Sequence, residues 1–347
     1  MISPETHIRR LLEDSGRYVL GQRDREFLEL HGMEAWLYRC ATSGRFRKWR
    51  LPEGAETRLR RAIATAVRTN QPVKFVFEFG GYKLWRLPST PEVDWAEFFT
   101  LAYYASYLAP MAAVYGPGVI FSFASDDYVV ERMNNIPKSS TDAYCNSFNA
   151  LLSHFSKYLP ANLKIELVRL HELYGNVADL EAELAVTYPA TVLKSPEWDD
   201  VKRTKMLRKA ALNFCPSERF GVCNLEDLSQ AEYDRRLMEG ALWHDAFEGT
   251  SLRKNFVHAD DRILIFTTAI PQSIPLGVTK SSVAKFWAGT GVLREVGEGW
   301  REIVLSPSQI EENPSSQSTA PIPGLELKNL RSIAIDRSPF SSVGQAA

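Results

Sequence analysis

This chain is poor in the residues that most often betray a function. Only 4 cysteines and 6 histidines occur in 347 residues. Cys40, Cys145, Cys215 and Cys223 form no CxxC pair, and Cys215 and Cys223 are spaced too widely for a zinc knuckle. No HExxH or paired-histidine spacing accompanies them, so no metal site is expected and the thiols read as reduced and inert. The scattered histidines offer no Ser-His-Asp arrangement. Neither sign of charge dominates: 41 Lys and Arg face 42 Asp and Glu, a formal net charge of -1. No global field therefore draws the chain to nucleic acid or an anionic membrane. No run approaches the roughly 18 uncharged apolar residues of a bilayer span. The N-terminal MISPETHIRRLLEDSGRY carries acids where a secretory signal has its apolar core. GxGxxG and GxxxxGK[ST] are both absent. These absences predict a cytoplasmic protein with a small-molecule substrate and no membrane or nucleic-acid partner, and they leave its oligomeric state open.

What the chain does have is 45% apolar residues, ordinary for a globular fold with a substantial core. Residues 3–39 read as helical, followed by the connection ATSGRFRKWRLPEG and a helix from Ala55 to Thr69. Residues 1–70 hold 14 Lys and Arg against 9 Asp and Glu, and the excess concentrates from Arg45 to Arg61. A solvated basic helix face is the plain reading of that excess. Pro72 then opens a strand over Val73–Phe79. Asp94 and Glu97 form a capping-box pair before a helix apolar almost all round, which should be buried, and Pro110 should kink or end it. A Tyr115-Gly116-Pro117-Gly118 turn leads into a strand over Val119–Ala124. Strand, helix and strand in that order predict a βαβ unit with the two strands parallel and adjacent.

Further on, a helix is expected from Thr141 and a strand from Asn162. A mainly helical stretch runs from Val177 to Phe247, interrupted near Pro189, Pro196 and Pro216. The region 262–305 reads as strand-rich through RILIFTTA, SVAKFWA, GVLREV and WREIVL, with Gly297-Glu298-Gly299 as a hairpin turn. The division expected is a helical segment 1–70, an α/β catalytic domain 71–305, and a Pro- and Ser-rich flexible tail 306–347 in which LELKNLRSIAI docks back or stays free.

Two of the strands end in polar clusters. PVKFVFEF breaks into Gly80, Gly81, Tyr82, Lys83 and Arg86, and GPGVIFSFA into Ser125, Asp126 and Asp127. Ligands of open α/β sheets bind at the carboxyl ends of strands, so a cationic loop and an acidic loop are expected to share a crevice. Lys83 offers an ammonium for phosphate or carboxylate, or for a Schiff base if desolvated, and the preceding glycines allow close backbone approach. Its plain alternative is a stem on apolar surface with the head in water. Arg86 offers a bidentate fork for an anion. Of the adjacent pair, Asp126 is placed to accept a proton or orient an amine, while Asp127 faces solvent or caps a turn. Glu131 and Arg132 follow closely enough to frame it.

In their order, FVFEFGGYK, AAVYGPGV and IFSFASDD resemble the isonitrile (isocyanide) synthase family, the pyoverdine and dityrosine biosynthesis type, over residues 72–175. The resemblance implies a Rossmann-like fold with a mostly parallel central sheet. It also implies a reaction that joins an amino acid's α-amine to the carbonyl of a ketose phosphate, whose carbon becomes the isonitrile carbon, with decarboxylation in vinyl products. No cofactor or bound metal is implied, the ketose phosphate being a co-substrate. Lys83 matches the family's lysine after the first strand, and Ser125 and Asp126 its Ser-Asp after the second. Asp127 stands where the family has glycine, and the Ser/His-bearing C-terminal strand is represented only by RILIFTTA. The resulting expectation assigns catalysis to Lys83 and Asp126, and substrate binding to Arg86, Ser125, Asp127, Glu131 and Arg132. Two other functions fit the residues. Asp126 and Asp127 would serve a metal-dependent sugar-nucleotide transferase, and the basic 45–61 segment with Trp36, Phe46 and Trp49 would serve a nucleic-acid-binding protein.

Overall fold

The computed structural model describes residues 2–80, 92–134, 136–213, 229–280, 285–306, 309 and 316–337. Its N-terminal helical region is divided. Helix α1 (Pro4–Asp14) starts at Ser3, whose hydroxyl accepts the Thr6 amide at 3.1 Å, with proline at the first helical position. Helix α2 (Gln22–Ala41) is kinked at Gly32, which has φ 79°, and α3 (Ala55–Thr69) closes on Asn70 in the left-handed region. The single stretch expected over 3–39 is therefore two helices, parted at residues 15–21.

The central sheet has the order β3-β2-β1-β4-β5, and every pair in it is parallel. Its strands are β1 (Val73–Phe79), β2 (Val119–Ser125), β3 (Leu163–Arg169), β4 (Arg262–Phe266) and β5 (Ser273–Pro275). Val73 pairs with Val119 and Phe79 with Ser125, so β1 and β2 end level. Later strands were added on both sides of β1, which makes its carboxyl end the point where the strand order reverses. Crossover helix α4 (Trp95–Ala112) carries the capping box that its sequence predicts, Asp94 accepting from Ala96 N and Glu97 from Asp94 N. It is apolar all round because it is sandwiched, with β2 and β3 on one side and α2 and a second sheet on the other. Pro110 neither kinks nor ends it; the proline sits in the last turn, where its carbonyl accepts from Trp36 Nε1 at 3.1 Å.

One face of the sheet is aromatic. Phe75, Phe77, Phe79, Phe121 and Phe123 interlock with Tyr104, Phe148 and Phe286 in a buried cluster. On the other face Val76, Ala124 and Leu264 meet Leu180, Leu184, Phe247 and Leu252. These come from α7 (Val177–Lys194), from α9 (Gln230–Glu248) and from the turn before β4. Helices α5 (Asp127–Asn134), α6 (Lys138–Ser156) and α8 (Asp200–Asn213) complete the helical layers. Pro189 does not interrupt α7; the break comes at Ser195–Glu197, and Pro216 lies outside the described residues.

The second sheet, of order β7-β6-β9-β8, is built from β6 (Thr290–Val296), β7 (Gly299–Leu305), β8 (Ser316–Thr319) and β9 (Ser332–Asp336). The hairpin joining β6 to β7 turns at Gly297, φ 59°, and Glu298, as the sequence predicts. SVAKFWA is not a strand where it is described: Lys285–Gly289 forms a turn that drives Phe286 into the aromatic core. Within the 306–347 stretch, read from composition as flexible, β8 and β9 are ordered members of this sheet, and Ile333 and Ile335 are buried in the main core. The second sheet packs tightly on α4 at Gly291, where an added Cβ would lie 2.3 Å from the Trp95 carbonyl carbon. Gly291→Ala is therefore expected to destabilise the fold by about 1–3 kcal/mol in urea unfolding; an unchanged midpoint would mean that β6 does not abut α4. Among the described residues no helix is long and apolar enough to cross a membrane.

Candidate active site

The carboxyl ends of β1 and β2 carry three charged side chains in contact. The alternation that sends Phe75, Phe77 and Phe79 to the aromatic face sends Glu78 to the opposite one. Asp126 follows β2 directly. Its amide donates to the Phe79 carbonyl at 3.2 Å, and its own carbonyl accepts from Val129 and Val130 at 3.0 Å each, so it is fixed where strand becomes helix. Arg253, from the turn that precedes β4, lies between the two acids. Its Nη2 donates to Glu78 Oε2, and its Nη1 is 3.5 Å from Asp126 Oδ2. Glu78 and Arg253 are buried and Asp126 nearly so. Asp126 Oδ1 has no hydrogen-bond partner among the described residues.

Burial and, next, the charge of Glu78 push the Asp126 carboxyl well above its usual range, while Arg253 opposes them. The helix N-terminus at Asp126 would by itself favour the carboxylate; desolvation and a like charge win. Burial works against the Arg253 cation, but Glu78 and Asp126 outweigh it and hold the guanidinium charged. Two carboxyls beside a fixed guanidinium cation, largely withdrawn from water, can hold and pass a proton. This arrangement can donate to a developing oxyanion or accept from an ammonium.

Asp127 takes a separate path. It is fully buried, with Arg169 Nε donating to its Oδ2 at 2.5 Å and His171 Nδ1 lying 3.2 Å from its Oδ1. Arg169 also pairs with Asp142 at 2.7 Å. The adjacent aspartates thus serve two different clusters and do not form one two-carboxylate site. Ser125 is buried with its hydroxyl 3.9 Å from Cys145 Sγ. Glu131 accepts from Thr141 on α6, and its half-buried carboxyl is raised chiefly by desolvation. Arg132 lies over the Tyr128 ring at 4.0 Å and pairs with Glu181 of α7 at 2.9 Å. Of the residues expected to share a crevice, Ser125, Asp126 and Asp127 stand together at the end of β2, and Asp126 alone meets the Glu78 and Arg253 pair. Lys83 and Arg86 lie outside the described residues.

Sequence reasoning passed over Glu78 and Arg253. Glu78 had a signal, a single acid within a strand otherwise apolar from Phe75 to Phe79. Arg253 had none, since SLRKNFVH carries no period or motif that sets it apart. The basic segment 45–61 is mostly at the surface, as a solvated basic face would be, with Arg58 buried and Arg47 half-buried. Arg58 is buried and donates to the carbonyls of Val257, Ala259 and Arg262, Arg47 donates to Thr42 and Trp49 carbonyls, and Arg60 and Arg61 pair with Glu56 and Asp260. Trp36 and Phe46 are buried, which leaves Trp49 exposed among the three aromatics considered for base stacking. Among the described residues no three His, Cys, Asp or Glu side chains converge as metal ligands would.

No family model matches the chain, and no curated protein matches it. Among solved structures it is similar to the PvcA protein from Pseudomonas aeruginosa, with a TM-score of 0.61 and 15% identity over 88% of this chain and 100% of that one. That likeness is one of fold.

Proposed function

We propose that this protein is a biosynthetic enzyme of the isonitrile-synthase kind, acting on an amino acid or a related amine. The observation that carries the reading is the Glu78, Asp126 and Arg253 cluster at the carboxyl end of the central strands, where one carboxyl is biased toward its protonated form. The fold likeness over 88% of the chain supports it. In this reading the amine nitrogen attacks the carbonyl carbon of a ketose phosphate. Asp126 delivers its proton to the carbonyl oxygen, takes one from the nitrogen, and returns it as the oxygen leaves as water. Glu78 and Arg253 keep that proton available, and Lys83 and Arg86, which follow β1, bind the anionic ends of the substrates.

The test is mass spectrometry on the purified chain incubated with the proteinogenic amino acids and a panel of ketose phosphates. Consumption of one amino acid together with one ketose phosphate, dependent on Asp126, is the expected result. No amine-dependent turnover across both panels, or undiminished turnover in Asp126→Asn, would exclude the reading.

A further inference from the structure

Arg253 reaches Glu78 and Asp126 from a turn of unusual geometry. Arg253–Val257 is a single turn of π-helix, closed by the His258 amide donating to the Arg253 carbonyl at 2.8 Å. Such turns are rare and concentrate at functional sites. SLRKNFV holds neither proline nor glycine that would call for one locally, so contacts from elsewhere in the chain hold it. Leu252 and Val257 sink into the apolar cluster of Val76, Leu180 and Phe247. Apolar burial fixes the depth of a turn but is non-directional; its rotation is left to hydrogen bonds.

Those bonds come from two charged side chains, one at each end. At the start, the Glu183 carboxylate of α7 accepts from the Ser251 amide at 2.6 Å and from the Ser251 hydroxyl at 2.8 Å. Tyr174, in the turn after β3, donates its hydroxyl to the same carboxylate. Desolvation works against the charge, but the Tyr174 and Ser251 donors outweigh it and hold the Glu183 carboxyl below its usual range. At the far end the Arg58 guanidinium of α3 donates to the carbonyls of Val257, Ala259 and Arg262 at 3.3, 3.1 and 3.1 Å. An anion on the leading amide and a cation on the trailing carbonyls are the signs that the peptide dipoles favour. Arg253 lies two residues past Ser251, at the end that Glu183 holds.

We propose that Glu183 is a positioning residue for the reaction, a role that rests on reading the Glu78, Asp126 and Arg253 cluster as the catalytic centre. By fixing Ser251 it sets the rotation of the π-helical turn and keeps the Arg253 guanidinium between the two acids. Among the described residues Glu183 bonds to none of the three, so it acts through Arg253 alone. Supporting bonds of this kind hold a site to the geometry its chemistry needs.

Glu183→Gln keeps the shape but replaces one acceptor oxygen with a donor. The Ser251 end loosens while Arg58 still holds the other, and the guanidinium sits less firmly between the acids. Burial, Glu78 and the neighbouring Asp127 raise the Asp126 carboxyl, and Arg253, itself under the charge of Glu248, is the group that opposes them. A looser Arg253 therefore moves the titration of Asp126 to higher pH.

Carbon-13 NMR of the full chain, with aspartate carboxyls labelled and the Asp126 signal assigned by its loss in Asp126→Asn, tests this without substrate. The expected result is an Asp126 midpoint at higher pH in Glu183→Gln than in the parent. Turnover in the amino acid and ketose phosphate assay should show kcat lowered about tenfold with KM within about twofold, since no substrate contact is removed. If Glu183→Gln fails to fold, Ser251→Ala, which removes the hydroxyl donor and keeps the amide, carries the same test with a smaller shift in the same direction. An Asp126 midpoint that stays at the parent value overturns the proposal and leaves Glu183 as a support of the fold, whatever the parent turns over. A midpoint that moves in a chain with no amine-dependent turnover upholds the positioning of Arg253 and overturns instead the reading of the cluster as an isonitrile-synthase centre.

Discussion

Asp126→Asn is expected to lower turnover by about 10²-fold or more, the scale of losing a positioned acid–base group, without weakening the fold. The second half of that statement follows from linkage. Burial and Glu78 raise the folded-state pKa of Asp126 well above its unfolded value of 3.8. Between those two values the folded chain holds more protons than the unfolded one. The stability this group contributes is therefore complete below the unfolded pKa and is lost as pH rises through the folded one. Asparagine has nearly the same shape and is never charged. At neutral pH the variant should match or exceed the parent in urea midpoint, and its stability should fall less from mildly acid to neutral pH. Turnover and urea midpoints measured across that range check both halves. Full activity would remove Asp126 from the chemistry, and a large loss of stability at neutral pH would make it a structural group.

Arg253→Met should have the opposite signature, a large loss of stability together with loss of activity. Methionine fills much of the same space but leaves Glu78 and Asp126 buried side by side with no cation between them. Removing one partner from a buried ion pair costs on the order of 3–5 kcal/mol, most of it the penalty on the charge left behind. Without the guanidinium both carboxyls bind protons more tightly when folded, so the deficit should shrink as pH falls and the acids become neutral. Glu78→Gln in the Arg253→Met background should recover part of it, because the buried carboxylate left without its cation is gone. Urea unfolding of the single and double variants at neutral and mildly acid pH measures these shifts. A loss below about 1 kcal/mol at neutral pH would place Arg253 among surface-like ion pairs, and a loss indifferent to Glu78→Gln would mean that the two residues are not coupled.

Most of the central fold could be read along the chain. Pro72, the apolar run of β1, the Asp94 and Glu97 cap and the Gly118 turn are local signals, and each one led to the element that forms. Parallel pairing of β1 with β2 followed from the helix between them. Where the reading departed from the structure, long-range packing overrode local preference. Pro189 sits inside α7, the described Lys285–Ala288 part of SVAKFWA turns to place Phe286 among the sheet's aromatics, and Ser316–Thr319 forms β8 within the Pro- and Ser-rich stretch. The N-terminal region departed for a different reason, since a helical period over 3–39 does not show that the chain leaves the helix at residues 15–21.

The sequence by itself determined where the two strands end and that Ser125, Asp126 and Asp127 stand at the second of those ends, because periodicity and turn chemistry are properties of neighbours along the chain. Only the tertiary structure decided that the two aspartates part company, one to Arg253 and the other to Arg169 and His171. Arg253 stands 127 residues from Asp126 and 175 from Glu78. No local pattern links side chains so distant. They meet because β4 lies beside β1 in the sheet, which lays the turn before β4 across the face that carries Glu78. Once they are buried together, desolvation and mutual charge, rather than the identity of any one residue, set which carboxyl holds the proton.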